Sequence, residues 1–350
     1  MSLRSILVLL ALQICVYCNA QDEVFSQFYA LPMQMNPALT GAYDGTYRLS
    51  MSYRDQWNNN LGSSFKTFAA GGDTRFQMNF DNRRTEDHFG VGLFFISDRV
   101  REFQASNNQI STYFAYHKKL GSRIPSYLGA GIQMGVIQRN INYDNISFGD
   151  QFDQIDGFNL PTQETLPPNN IGIFNLSAGI NYYIELDESR YYIGAAIHHL
   201  NQPNMSYFNR LDNINPSTIT DQKLESRYVF HASMDKVLQY RYEIQPRFVY
   251  QQQGNNAMFS LGTNFQYTFK SEDMGLVLGL WVNAVNDLDG MKLNHISPLL
   301  GLLKGNFILG LSYDLGMRDT FNNPFNLNTF ELSIRFSGEH FNDNNFCPSF

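Results

Sequence analysis

The chain is poor in cysteine and in charge, and past its first twenty residues it lacks any long apolar run. Its three cysteines are Cys15, Cys18 and Cys347. Two of them fall where Arg4, the apolar run 6–12 and the small Ala20 follow one another. That order is expected of a secretory signal peptide, residues 1–20, removed before Gln21. Neither Cys15 nor Cys18 follows the small residue that lipid attachment wants. Cleavage leaves Cys347 alone, which excludes a disulfide framework and a cysteine-based metal site. No later stretch approaches the roughly 20 apolar residues of a membrane helix. Charged residues are only 16%, and the formal charge of −7 argues against a nucleic-acid partner, which selects basic surfaces. Gly-x-Ser-x-Gly and His-Glu-x-x-His are missing, and the seven histidines are scattered. No catalytic, cofactor-binding or metal-binding residues are expected, and the chain reads as non-enzymatic.

What the chain has instead is aromatic residues, 29 Phe and 20 Tyr, with many uncharged polar ones. Its periodicity is two. Phe89, Val91, Leu93 and Phe95 alternate with Gly90 and Gly92. Leu128, Ala130, Ile132, Met134 and Val136 alternate with Gly129, Gly131, Gln133 and Gly135. Phe330, Leu332, Ile334 and Phe336 alternate with Glu331, Ser333 and Arg335. A greasy face opposite a polar or glycine face is the pattern of a strand with lipid outside and a wet lumen inside. The mean hydropathy of −0.31 is compatible, because the inward residues average the outward ones away.

The pattern predicts about 14 strands of an all-β, antiparallel up-and-down transmembrane barrel. They lie near 47–54, 64–76, 88–98, 109–118, 126–138, 171–184, 190–199, 226–237, 241–251, 257–269, 275–285, 295–303, 306–315 and 328–337. The expected division is a signal peptide 1–20, an irregular segment 21–46, a barrel 47–337 and a tail 338–350. Pro32 and Pro37 interrupt the irregular segment, which has two places to go, the periplasm or the lumen. The two longest gaps, 139–170 and 200–225, both follow odd-numbered strands, while the even-numbered gaps 185–189, 238–240 and 270–274 are tight and 77–87 is the exception. Outer-membrane barrels sort their connections this way, with short periplasmic turns and longer outer loops. A soluble sandwich has no reason to.

Several short motifs carry a family resemblance. They are Gln27-Phe28-Tyr29, Asn36-Pro37-Ala38-Leu39-Thr40-Gly41, Tyr53-Arg54-Asp55-Gln56-Trp57, and residues 194–204 from Gly194 through His198-His199 to Asn204. Ser312-Tyr313-Asp314 and the tail Cys347-Pro348-Ser349-Phe350 complete the set. In order and spacing the chain resembles the PorP/SprF family of the type IX secretion and gliding machinery of Bacteroidetes. Ser349 departs from the family tail, which more often has Arg before the last Phe. The resemblance implies a multi-pass outer-membrane protein that works with other type IX secretion components. It also implies a partner, a large secreted surface protein such as a gliding adhesin with a C-terminal sorting domain.

Loop chemistry leaves two readings at several points. Asp144, Asp150, Asp153 and Asp156 are acidic at short spacing, but the calcium-loop order with its closing Glu is lacking, and a solvated outer loop is the better reading. Phe148, Phe152 and Phe158 in one long loop, with Tyr207 and Phe208 in the other, are the candidate partner-binding residues. Large aromatics there either fold over the barrel or anchor a partner. His198 and His199 are adjacent, so on a strand they point to opposite faces. Inward glycines at 90, 92, 129, 131 and 310 either relieve crowding or make room for an inserted peptide. The alternative function is a solute-conducting porin or transporter, with Arg48, Arg54, Glu331 and Arg335 lining the lumen.

Overall fold

The computed structural model describes residues 22, 24–56, 65–77, 87–100, 105–121, 123–143, 146–153, 155, 157–164, 166–210, 222–239, 241–270, 273–287, 290–317 and 328–339. The signal-peptide region, Asp144, Asp156 and the tail from 340 onward lie outside them. Fourteen strands form a closed antiparallel barrel: β1 (Tyr47–Gln56), β2 (Phe65–Gln77), β3 (His88–Val100), β4 (Ala105–Lys119), β5 (Ser126–Asn140), β6 (Asn170–Leu186), β7 (Ser189–His198), β8 (Arg227–Gln239), β9 (Tyr242–Gln253), β10 (Asn256–Thr268), β11 (Met274–Asp287), β12 (Gly290–Lys304), β13 (Phe307–Gly316) and β14 (Thr329–Gly338). Each strand pairs with its sequence neighbours, and β14 closes on β1 with Tyr47 opposite Gly338. Closure removes every sheet edge, as a strand structure in lipid requires.

Every expected strand is present, and the largest displacement is at the start of β12. There the register against β11 shifts between Asn283 and Ala284. A bulge inserts one residue and swaps the faces, so alternation read straight through it loses phase.

Alternation sorts the two faces. Leu93 and Ile180 are 57% and 58% exposed on the outer wall, while their neighbours Gly92 and Asn181 are buried. Near the end that carries Tyr47 and Gly338, the terminal mouth, outward aromatics cluster. Phe307 and Phe336 lie 4.4 Å apart, and Phe89 and Tyr116 lie 4.8 Å apart. Aromatic rings at one height are suited to a membrane–water interface. The opposite end, the long-loop mouth, carries the segments between β5 and β6 and between β7 and β8. Much of the inner wall is polar: Ser52, Asp73, His117, Gln133, Asn175, Ser177, Asn264, Ser297, Asp314 and Glu331 are all essentially buried.

Candidate functional site: the filled lumen and its outer mouth

Polar walls need partners, and residues 24–46 supply them by running through the lumen. The segment cannot be a strand, because Pro32 and Pro37 lack amide donors. It folds as three short turns instead, Phe28–Ala30, Pro32–Met35 and Pro37–Leu39, each proline at a first helical position where no donor is missed. Asn36 caps the last turn by accepting from the Ala38 amide at 2.9 Å. Phe25, Leu31 and Met33 bury against Phe94, Ile96 and Tyr113, and Phe28 packs edge-on to Trp281 at 5.1 Å.

Polar anchors fix the register of this plug. The Glu331 carboxylate accepts the Ser26 and Gln27 amides at 2.8 and 3.0 Å, and Arg54 lies 3.4 Å from it. The Gln27 side chain donates to Ser312 and accepts from Ser333 at 2.9 and 2.6 Å. Ser26 donates to Asp314 at 2.7 Å. Asn36 donates to the Ile180 carbonyl at 2.9 Å and lies 3.0 Å from His231 Nε2. Asp73 accepts the Gly41 amide at 2.8 Å and both forks of Arg48 at 2.9 and 2.7 Å. His117 Nε2 lies 2.8 Å from the Thr40 carbonyl and His198 Nε2 lies 3.1 Å from that of Met35. A carbonyl only accepts, so both nitrogens must carry the proton.

The inward glycines make room for this segment. A Cβ on Gly90 would stand 2.3 Å from the Thr40 carbonyl oxygen, and one on Gly131 would stand 2.5 Å from the Ala38 amide. Of the two readings open from sequence, the space goes to a peptide, and the peptide is the chain's own.

The histidine pair departs from expectation. β7 ends at His198, and His199 has a φ of 57°, which turns its ring into the lumen beside that of His198, with centroids 6.4 Å apart. His199 Nε2 lies 2.6 Å from Asp22, and Arg227 Nε lies 3.3 Å from the same carboxylate. Burial raises the Asp22 carboxyl, but the Arg227 and His199 charges outweigh it and hold the group below the usual carboxylate range. This tether sits where β7 ends and β8 begins, so the plug begins at the long-loop mouth and leaves at the terminal one.

The five candidate aromatics all belong to that mouth. Phe152 and Phe158 pack together at 5.5 Å and are 44% and 52% exposed. Ile155 beside them is 85% exposed, and Phe208 is exposed in the second loop. Phe148 and Tyr207 are half-buried. Arg139 stacks over Tyr207 at 5.1 Å and donates to the Met205 carbonyl, so that ring holds the loop to the wall. Asp150 and Asp153 bind the loop's own groups: Asp153 accepts the Ile155 and Gly157 amides, and Asp150 accepts the Gln163 amide. Among the described residues no cluster of metal-ligating side chains occurs.

Two cavities flank the plug. One, of about 250 Å³, lies under the long loops beside Arg139, Tyr207 and Asp22. The other, of about 320 Å³, faces the terminal mouth. Sequence reasoning named Glu331, Arg48 and Arg54 as lumen lining but missed Gln27, Asn36, Asp73 and Asp314 as anchors. The available signal was acidic residues in the inward phase, which need a donor inside the barrel.

A family model described as "Type IX secretion system membrane protein PorP/SprF" matches residues 17–336. No match is found among curated protein sequences. Among solved structures the chain is similar to a Pseudomonas aeruginosa FadL homologue, at 12% identity and TM-score 0.48, covering 86% of this chain and 92% of that one. It is similar to the Pseudomonas putida toluene transporter TodX at 10% identity and TM-score 0.45, covering 91% and 93%. CdiB from Escherichia coli matches at 8% identity and TM-score 0.44, with 82% of this chain covering 63% of that one.

Proposed function

This chain belongs to the PorP/SprF family of type IX secretion system membrane proteins, and from that premise we propose that it is a non-enzymatic outer-membrane partner that holds a secreted surface protein by its C-terminal sorting domain. The long-loop mouth faces the cell exterior, since barrels of this class keep short turns on the periplasmic side and longer loops outside. The observation that carries the reading is the exposed apolar group at that mouth, Phe152, Ile155, Phe158 and Phe208. Exposed apolar groups gathered in one place favour association. A plug bound along the whole lumen weighs against the porin reading, because a solute path would have to displace Gln27, Asn36 and Asp22 from their partners. Export is by a signal peptide cleaved before Gln21, and the adhesin of a gliding cell is one such surface protein.

Changing Phe152, Phe158 and Phe208 together to Ser should leave a heat-modifiable, folded barrel while the surface protein is lost or released. Aromatic anchors of this kind contribute about 2 kcal/mol or more at the best sites. Phe148 and Tyr207, being held in their loops, are changed in a separate variant. A folded triple variant with unchanged surface protein would refute the loop assignment, and a full deletion with unchanged secretion would refute the partner. Steady openings of the purified barrel in a planar bilayer would favour the porin.

A further inference from the structure

The lumen's arginines are paired, with one exception. Arg48 is bound by Asp73, Arg54 by Glu331, Arg190 by Asp44, Arg227 by Asp22 and Arg247 by Asp235. Arg75 donates to the Tyr43 carbonyl and Arg139 to that of Met205. Among the described residues, Arg335 alone of the inward arginines has no hydrogen bond or ion pair. It shares the inward phase of β14 with Glu331 and Ser333, three residues short of the terminal mouth. It is half-buried and lines the 320 Å³ cavity. The charges acting on it most strongly are Arg247 and Arg48, both repulsive, ahead of Asp235, which Arg247 already binds at 3.0 Å. Arg247 lines the same cavity and has its own loose end: Nη1 is buried without a partner. Its guanidinium carbon lies 4.9 Å from the centre of the Tyr29 ring, and Tyr29 in turn stacks on Trp281 at 5.4 Å.

We propose that Arg335 and Arg247 form an oxyanion-binding site, open to the periplasmic side, that takes a carboxylate or phosphate group. Arg335 has no partner and Arg247 has a free Nη1, and both line one cavity, so a negative group between them would satisfy both forks. Guanidinium forks match the two oxygens of a carboxylate or phosphate, and a stacked fork loses little freedom on binding. Glu243 lines the same cavity but accepts from Gln245 at 2.8 Å. The plug completes the site, because Phe28, Tyr29, Met35 and Tyr43 are part of its wall. The site is therefore present only while the plug is seated. It lies on the opposite side of the plug from the long loops, so its failure would leave the loop reading untouched.

The test uses the full-length barrel in detergent, titrated by calorimetry with inorganic phosphate and separately with a peptide rich in Asp and Glu. At least one should bind, and R335Q should weaken that binding by about tenfold or more. Arg139→Gln, at the other mouth, should not change it. Heat-modifiable migration checks that R335Q folds. If it does not, Arg335→Lys keeps the charge without the fork and should still weaken binding severalfold. Tighter binding of the peptide assigns the anion to a periplasmic protein segment, and tighter binding of phosphate assigns it to a free ion. No binding of either probe up to about 20 mM, or binding indifferent to the Arg335 substitutions, would overturn the site.

Discussion

The outer skin and the lumen are made by alternate residues of the same fourteen strands, yet they are held by different physics. Outside, Leu93, Ile180 and their neighbours meet hydrocarbon, where contact is non-directional and one apolar side chain substitutes for another. Inside, Gln27, Asn36, Asp73 and Glu331 are bound through hydrogen bonds of fixed direction, and each has a particular partner. Burying a polar group is tolerated only when its bonds are made, so the lumen specifies one arrangement while the skin specifies only a class. A barrel built this way can change its surface freely, whereas its plug is committed residue by residue.

That comparison can be broken at β14, where the two faces alternate. The largest effect is expected for Glu331→Ala. It strands the Ser26 and Gln27 amides and leaves Arg54 without its carboxylate, and breaking a buried charge pair costs roughly 3–5 kcal/mol. The plug should loosen while the barrel persists, read as new protease cleavage within residues 24–46 alongside normal heat-modifiable migration. An intact plug in this variant would mean that the lumen is as permissive as the skin. Next is Leu332→Arg, one residue away and facing out, which should cost about 2–4 kcal/mol if it lies near the bilayer midplane. Its loss should fall on the barrel itself, measured as the folded fraction after refolding into lipid. The smallest effect separates Ser333→Ala from Ile334→Val. The first removes one bond to Gln27, worth about 1 kcal/mol. The second trims a side chain against fluid hydrocarbon, so its change in denaturation midpoint should be the smaller of the two.

The legible part of this protein was the part with a period. Alternation identified all fourteen strands, and the parity of long gaps matched the mouth at which the long segments stand. It failed at the start of β12, where a bulge resets the phase, and at His199, where the strand had already ended and a left-handed residue turned the ring inward. The plug motifs Gln27-Phe28-Tyr29 and Asn36-Pro37-Ala38 were visible as words without a role. Asp314 stood in the inward phase with nothing nearby in sequence to balance it, because Ser26, its partner, is 288 positions away. The aromatic loop residues were legible as exposed, and only their packing distinguished Phe152 and Phe158 from Tyr207, which Arg139 holds down.

The sequence by itself determined the class of fold, the faces of the strands away from the β12 bulge and the closure of the last strand on the first, since these follow from a two-residue period repeated until no edge remains. The tertiary structure alone decided that residues 24–46 enter the lumen, which carboxylate meets which amide, and that Arg335 faces a cavity beside Arg247 with no carboxylate bound to it. Those are matters of long-range contact. A polar side chain announces that it needs a partner, but only the closed barrel, bringing β14 against β1 and the plug between them, says which one it has.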